Sequence, residues 1–368
     1  MIKRSQKLYW RPSRVPDRAL ALLSVVAICA LAVVEFFRTG AATEHYDEML
    51  QASQKMQEAI EVIRPIRGRI QPINPELDPV RSGLIGVASS PLTSTSGDLE
   101  AKQATINPNW GAVVVRMLIE AGVQPGDKVA VAISGSFPAL NIAVYAALES
   151  LRLDPVIIVS GSASQWGANL PDFGWLEMAA HLRDAGVFQV TENAVTLGGL
   201  DDRGGGLERR GIELIRAAAD RAGLPLLEPD SFEVAVVERI RRYREGAGGA
   251  PIAALINVGG GVATVGPRSI DHFFERGLSR SAPPQAFRAP SVMGHFISRD
   301  VPALNFSGML TLSTRYGLPY PPLEPVSIGE GGVYRAETYR RWLAGLMIVL
   351  LISLTGLIMR SANIALAV

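Results

Sequence analysis

The apolar positions fall into two long terminal runs with a series of short runs between them. Ala19–Val34 is continuously apolar, and Phe36 and Phe37 extend it beyond Glu35. At a rise of ~1.5 Å per residue, a helix over 19–37 comes close to crossing a ~30 Å hydrocarbon core. Trp342–Met359 is a second run without charge, and Trp342 sits where an interfacial aromatic belongs. Both runs read as transmembrane helices, over 19–37 and 342–359.

Between them, Thr43–Arg64 reads as a helix that Pro65 ends. Met49, Ala52, Met56, Ala59 and Ile63 form a narrow stripe at alternating spacings of three and four. Such a stripe suits a coiled-coil seam, a neighbouring protein or packing on its own domain. Residues 70–79 hold three prolines and read as an extended linker, so 39–82 form a membrane-proximal region. From Gly83 the pattern changes. Lys128–Ser134, Pro155–Ser160, Ile252–Val258 and Val301–Phe306 are short apolar runs that read as buried strands, and Leu224–Leu227 as another. Helix-length amphipathic stretches alternate with them: Asn109–Ala121, Ala139–Leu151, Asp172–Ala185, Leu207–Ala222 and Phe232–Gly246. Strands alternating with helices imply an α/β domain over 83–333, a Rossmann-like parallel sheet with helices on both faces.

Composition narrows the class. Hydrophobic residues make up 48% and charged residues 19%, below the ~25% charged of soluble domains. A net charge of +1 excludes a strongly basic nucleic-acid binder, and one Cys, Cys29, excludes a disulfide framework and a cysteine zinc site. Lys3, Arg4, Lys7, Arg11, Arg14 and Arg18 precede the first apolar run, while Arg360 alone follows the second. The basic tail over 1–18 should therefore stay cytoplasmic, with 360–368 beside it and the intervening domain outside the membrane. Arg340 and Arg341 argue mildly against this orientation. A cleaved signal peptide is the alternative for the first run, but Glu35, Phe36, Phe37 and Arg38 stand where a small-residue cleavage site belongs. The intervening segment holds 27 Lys or Arg against 33 Asp or Glu, which disfavours a general polyanion surface but permits a local basic groove.

In a parallel sheet, ligands bind beyond the C-terminal strand ends. Four loops leave such ends. Ser134-Gly135-Ser136-Phe137-Pro138 opens a helix, where free N–H groups favour an anion and Asn141 lies one turn in. Ser136 reads as a helix cap, an anion contact or a nucleophile, although the G-x-S-x-G pattern is absent. The second loop offers Ser164, Gln165, Trp166 and Asn169 as ligand contacts, with Trp166 alternatively sealing the core edge. In the third, Asp201, Asp202 and Arg203 stand among glycines. They could hold a cation or a carboxylate, but read more simply as a solvated surface loop. In the fourth, Gly259, Gly260 and Gly261 could cradle an anion, or allow close packing; the G-x-G-x-x-G pattern is absent. The polar stretch Ser89–Asn107 contains Lys102, which could hold a carboxylate ligand but is expected to be exposed. His45, His181, His272 and His295 show no metal spacing, and His295 is the one candidate base. No metal and no cofactor are implied.

Several of these segments resemble one family. They are 84–91, 99–102, SGSFPALNIAVYAALE at 134–149, SASQWGAN at 162–169, 197–204, INVGGG at 256–261, 292–294 and RYGLP at 315–319. With the two-anchor layout and Tyr9-Trp10-Arg11-Pro12, they look like the poly-γ-glutamate system proteins, and the resemblance covers nearly the whole chain. It implies a bacterial inner-membrane protein of poly-γ-glutamate capsule synthesis or export, with the polymer, membrane lipid and other capsule-synthesis membrane proteins as partners and no nucleic acid. It supplies no catalytic residues. An accessory binder, a γ-glutamyl hydrolase or transpeptidase using Ser136, and a scaffold of the synthase all stay open.

Overall fold

The computed structural model describes residues 16–37, 39–259, 261–324, 327–329 and 332–364. Most of the expected basic tail and Gly260 lie outside them. The chain divides into two units, 44–334 and the two terminal segments taken together.

In the larger unit seven strands share one sheet. They are β1 (Lys128–Ser134), β2 (Asp154–Ser160), β3 (Ala194–Thr196), β4 (Leu226–Leu227), β5 (Ile252–Val258), β6 (Gly277–Ser279) and β7 (Ala303–Phe306). Their spatial order is β6-β7-β5-β1-β2-β3-β4, and all pair in parallel except the edge strand β6. Side chains alternate across the central strands as a pleat requires. Val129, Val131 and Ile133 of β1 enter one core with Ile157 and Val159 of β2. Ala130, Val156 and Ile158 enter the other. With both faces buried, the strands read as continuous apolar runs, which is why four of them were legible.

Among the described residues the α-helices are α1 (Asp17–Phe36), α2 (Tyr46–Ile70), α3 (Leu99–Gln103), α4 (Trp110–Ala121), α5 (Pro138–Ser150), α6 (Trp175–Asp184), α7 (Arg209–Ala222), α8 (Phe232–Gly246), α9 (Val262–Val265), α10 (Val292–Ile297), α11 (Met309–Arg315) and α12 (Arg341–Ile364). Apolar residues of α2, α4, α5, α6, α7 and α11 fill the first core. Those of α8, α9 and α10 fill the second. Pro138 opens α5 at its first turn, where a missing N–H costs nothing. Gly122 and Gly223 close α4 and α7 in the left-handed conformation.

One expectation is corrected here, and one left open is decided. Pro65 does not end the membrane-proximal helix: α2 runs on to Ile70 with the proline inside it. Ile63 and Arg67, buried on either side, hold the helix against the domain, and that packing offsets the bond a proline removes. The stripe Met49, Ala52, Met56, Ala59 and Ile63 is buried among α4 and α5 of its own domain. Gly111 permits this approach, since a Cβ there would stand 2.6 Å from the Ala52 backbone.

In the terminal unit α1 packs on α12, and Thr39–Ala42 pairs antiparallel with Arg335–Thr338. Both helices are long and apolar enough to cross a membrane, with mean hydropathies of 2.6 and 2.4. Glu35 near the end of α1 accepts a hydrogen bond from Tyr339 Oη at 3.1 Å.

Candidate functional site

The strand order turns back on itself between β1 and β5. The chain moves outward from β1 through β2, β3 and β4, then crosses to β5 on the other side of β1. Loops leaving β1 and β5 therefore diverge and leave a crevice at their C-terminal ends. That crevice has a volume of about 520 Å³, within the range of small-molecule sites. Ser134 and Ser136 line it from β1, Ser160 and Ser162 from β2, and Gly259 and Gly261 from β5.

The polar stretch 89–107 contributes to the same wall. Its residues Thr93–Thr95 pair with Ala163–Ser164, which brings Ser94 and Thr95 to the crevice. Asp98 caps α3 by accepting from the N–H groups of Glu100 and Ala101. Helix α3 carries Lys102 inward, and the expectation of an exposed Lys102 is corrected: it is 2% exposed. Its Nζ donates to the Ser136 carbonyl, lies 2.7 Å from Ser164 Oγ and sits 3.6 Å from the centre of the Phe137 ring. These acceptors and the ring face replace the water that an ammonium loses on burial.

Burial nevertheless pushes the Lys102 pKa down to about 7, with Asp98 acting the other way. The unfolded chain then holds more protons than the folded one between about pH 7 and 10.5. Stability from this group accordingly rises through that window, by up to about 1.4 kcal/mol per pH unit. Lys102→Met should flatten the rise between pH 7 and pH 9 in thermal unfolding; an unchanged slope would show that Lys102 stays charged.

Beneath the crevice lies a buried ion pair. Arg239 of α8 is 1% exposed and Asp202 is 2% exposed. Arg239 Nε donates to Asp202 Oδ2 at 2.6 Å, and Nη2 donates to Ser160 Oγ and Thr196 Oγ1, both at 2.8 Å. Thr196 Oγ1 in turn donates to Asp202 Oδ1 at 2.7 Å. The Asp202 loop is thus no solvated charge run: a carboxylate can be buried here because the guanidinium and a hydroxyl satisfy it. Asp201, its neighbour, faces the crevice, and Arg203 is exposed to solvent.

The remaining sequence candidates separate. Gly135 joins the two serine loops, its N–H bonding Ser162 O and its carbonyl accepting from Ala168 N. Asn141 Nδ2 holds the β1 end by donating to Ser134 O at 2.8 Å. Asn169 clamps the 87–93 segment through Val87 and Thr93, and Gln165 Oε1 accepts from Gly97 N. Trp166 packs against the main core. These three brace the crevice wall from behind and do not line it. His295 of α10 lies on the opposite face beside Phe296, where burial, Arg299 and Arg244 lower its pKa. The structure does not bring it to Ser136.

No base contacts Ser136 Oγ among the described residues; its partner is the Ser164 N–H at 3.1 Å. The described residues hold no cluster of three or more metal-ligating side chains. Sequence reasoning missed Arg239, whose signal was a charge inside the stripe of Ala235, Val236 and Tyr243. It also gave no role to Ser94, Ser160 or Ser162. Among protein-family models, curated proteins and solved structures, none matches this chain.

Proposed function

We propose that this chain is a membrane-anchored accessory protein of poly-γ-glutamate synthesis or export that holds the carboxylate-bearing polymer in the crevice between β1 and β5. One observation carries the ligand class. Four crevice hydroxyls already accept a hydrogen bond from the protein. Ser134 Oγ accepts from Ser136 N at 3.2 Å, Ser136 Oγ from Ser164 N, Ser160 Oγ from Arg239, and Ser162 Oγ from Ser94 Oγ at 3.1 Å. Among the described residues Ser134, Ser136 and Ser162 have no acceptor for their own protons, whereas Ser160 Oγ lies 3.3 Å from Thr196 Oγ1, whose own proton Asp202 takes. A serine hydroxyl has one proton, so the other three protons are free to serve a ligand that only accepts. An ionised carboxylate is such a ligand, and it binds these donors without the crevice needing a net positive charge.

The apolar terminal helices support a two-pass anchor, with the α/β unit on the outer face of a bacterial inner membrane. The family resemblance supplies the polymer. Ser136→Ala is expected to weaken binding of γ-linked glutamate oligomers by roughly 10- to 150-fold, the worth of a hydrogen bond to a charged group. Unchanged affinity would remove the crevice from the binding account.

A hydrolase is the second reading, favoured by one contact. Lys102 Nζ, with its lowered pKa, touches Ser164 Oγ. Serine–lysine pairs of this kind serve acyl transfer elsewhere. In that reading Ser164, and not Ser136, attacks the γ-amide and Lys102 takes its proton. Incubating the full-length protein with poly-γ-glutamate separates the two. The accessory reading expects the polymer length to be unchanged; shortening that Ser164→Ala abolishes establishes the enzyme.

A further inference from the structure

The crevice does not stop at β5. A second chamber of about 630 Å³ continues from it, and the two share Gly259, Val265 and Asp271. Its floor is Asn305 and Phe306 at the C-terminal end of β7, with Phe137 and Met309 in its walls. Together the chambers form a groove across the C-terminal ends of β2, β1, β5 and β7, larger than the ~300–1,000 Å³ of a single small-molecule site.

The two chambers differ chemically. The first offers hydroxyl protons, with the exposed Arg268 and the carboxylates of Asp201 and Asp271 on its rim. The second offers Arg276, whose Nη1 lies 3.3 Å from Thr311 Oγ1. Arg276 is exposed and bonds the Thr311 hydroxyl and no carboxylate among the described residues, and Gly308 leaves room for its side chain to lie flat: a Cβ there would stand 2.6 Å from Arg276 Cδ. An unpaired guanidinium at a groove wall suits a carboxylate, which it can grip through two N–H groups. At the joint stands Gly259, where bare backbone lets a chain pass between the chambers.

We infer that the groove binds an extended stretch of γ-linked glutamate, with one carboxylate on the serine protons of the first chamber and a later one on Arg276 in the second. This rests on the proposed function and adds to it a second subsite and a minimum ligand length. A γ-linked chain carries a free carboxylate on every unit, so one chain can satisfy both chambers. Each added unit that reaches the second chamber binds within the same molecule, and affinity should then climb with length.

The test uses the full-length protein in detergent micelles and γ-linked glutamate oligomers of one to eight units, with α-linked oligomers of equal charge beside them. Affinity is expected to rise at least tenfold with the length of the γ-linked series and then level off. The α-linked series should not reproduce that rise, since its carboxylates are spaced differently along the chain. Arg276→Ala should erase the gain of long oligomers over short ones, with its melting temperature recorded as a control on folding. Thr311→Trp, which fills the chamber from its rim, should do the same and guards against a variant that fails to fold. Equal affinity at all lengths, an equal rise for both linkages, or a gain that survives both substitutions overturns the second subsite. Binding at no length overturns the proposed function along with it.

Discussion

Arg239→Ala is expected to destabilise this protein more than any other single substitution considered, by about 3–5 kcal/mol. The arginine is almost wholly buried and is the only cation bonded to Asp202 among the described residues. Truncating it strands a carboxylate in a low-dielectric site and removes the donors to Ser160 and Thr196. Thermal unfolding of the full-length variant measures the loss. Replacing both members, Arg239→Met with Asp202→Leu, should recover much of the stability, because no buried charge is then left alone. A double variant as unstable as Arg239→Ala would show that the pair is not what makes the arginine indispensable.

Gly259→Val is expected to have the largest effect on binding. Gly259 has φ +83°, in the left-handed region that a β-branched residue adopts only under strain. A Cβ there would stand 2.3 Å from Ser134 Oγ and 3.2 Å from Ser136 Cβ. The valine would both strain the backbone, by about 1–3 kcal/mol, and displace two of the three free donors. Losing two hydrogen bonds to a charged ligand costs roughly 3 kcal/mol or more, over a hundredfold in affinity. Because Gly259 also stands at the joint between the chambers, long and short oligomers should be affected together.

How far the sequence reveals this arrangement depends on the residue. Buried parallel strands announce themselves, since both faces are apolar, and β1 and β5 were legible to the residue. Ala194–Thr196 and Gly277–Ser279 were not, because three residues at a sheet margin carry too short a pattern to distinguish from loop. The site was legible as a place: the loops after β1, β2 and β5 do meet at one crevice. Its chemistry was only partly so. Ser134, Ser136, Gly259 and Gly261 line it, whereas Gln165 and Asn169, equally eligible by type, turn toward the 87–97 segment and Trp166 packs against the core. Nothing local to a loop sequence decides which way its side chains turn. Lys102 and Arg239 are charged residues held inside by partners 62 and 37 positions away, Ser164 and Asp202. Burial of a charge is set by such partners, which a one-dimensional pattern does not contain. Pro65 shows the converse, a strong local signal overridden by tertiary packing.

The central claim is that the crevice between β1 and β5 holds a carboxylate-bearing γ-glutamyl chain. Calorimetric titration of a γ-linked glutamate oligomer into the full-length protein, beside Gly259→Val checked for a cooperative melt, tests it most directly. Saturable binding to the unsubstituted protein, with none to the folded variant, is the result expected. Equal binding to both would place the ligand elsewhere on the molecule, and no binding to either would contradict the account.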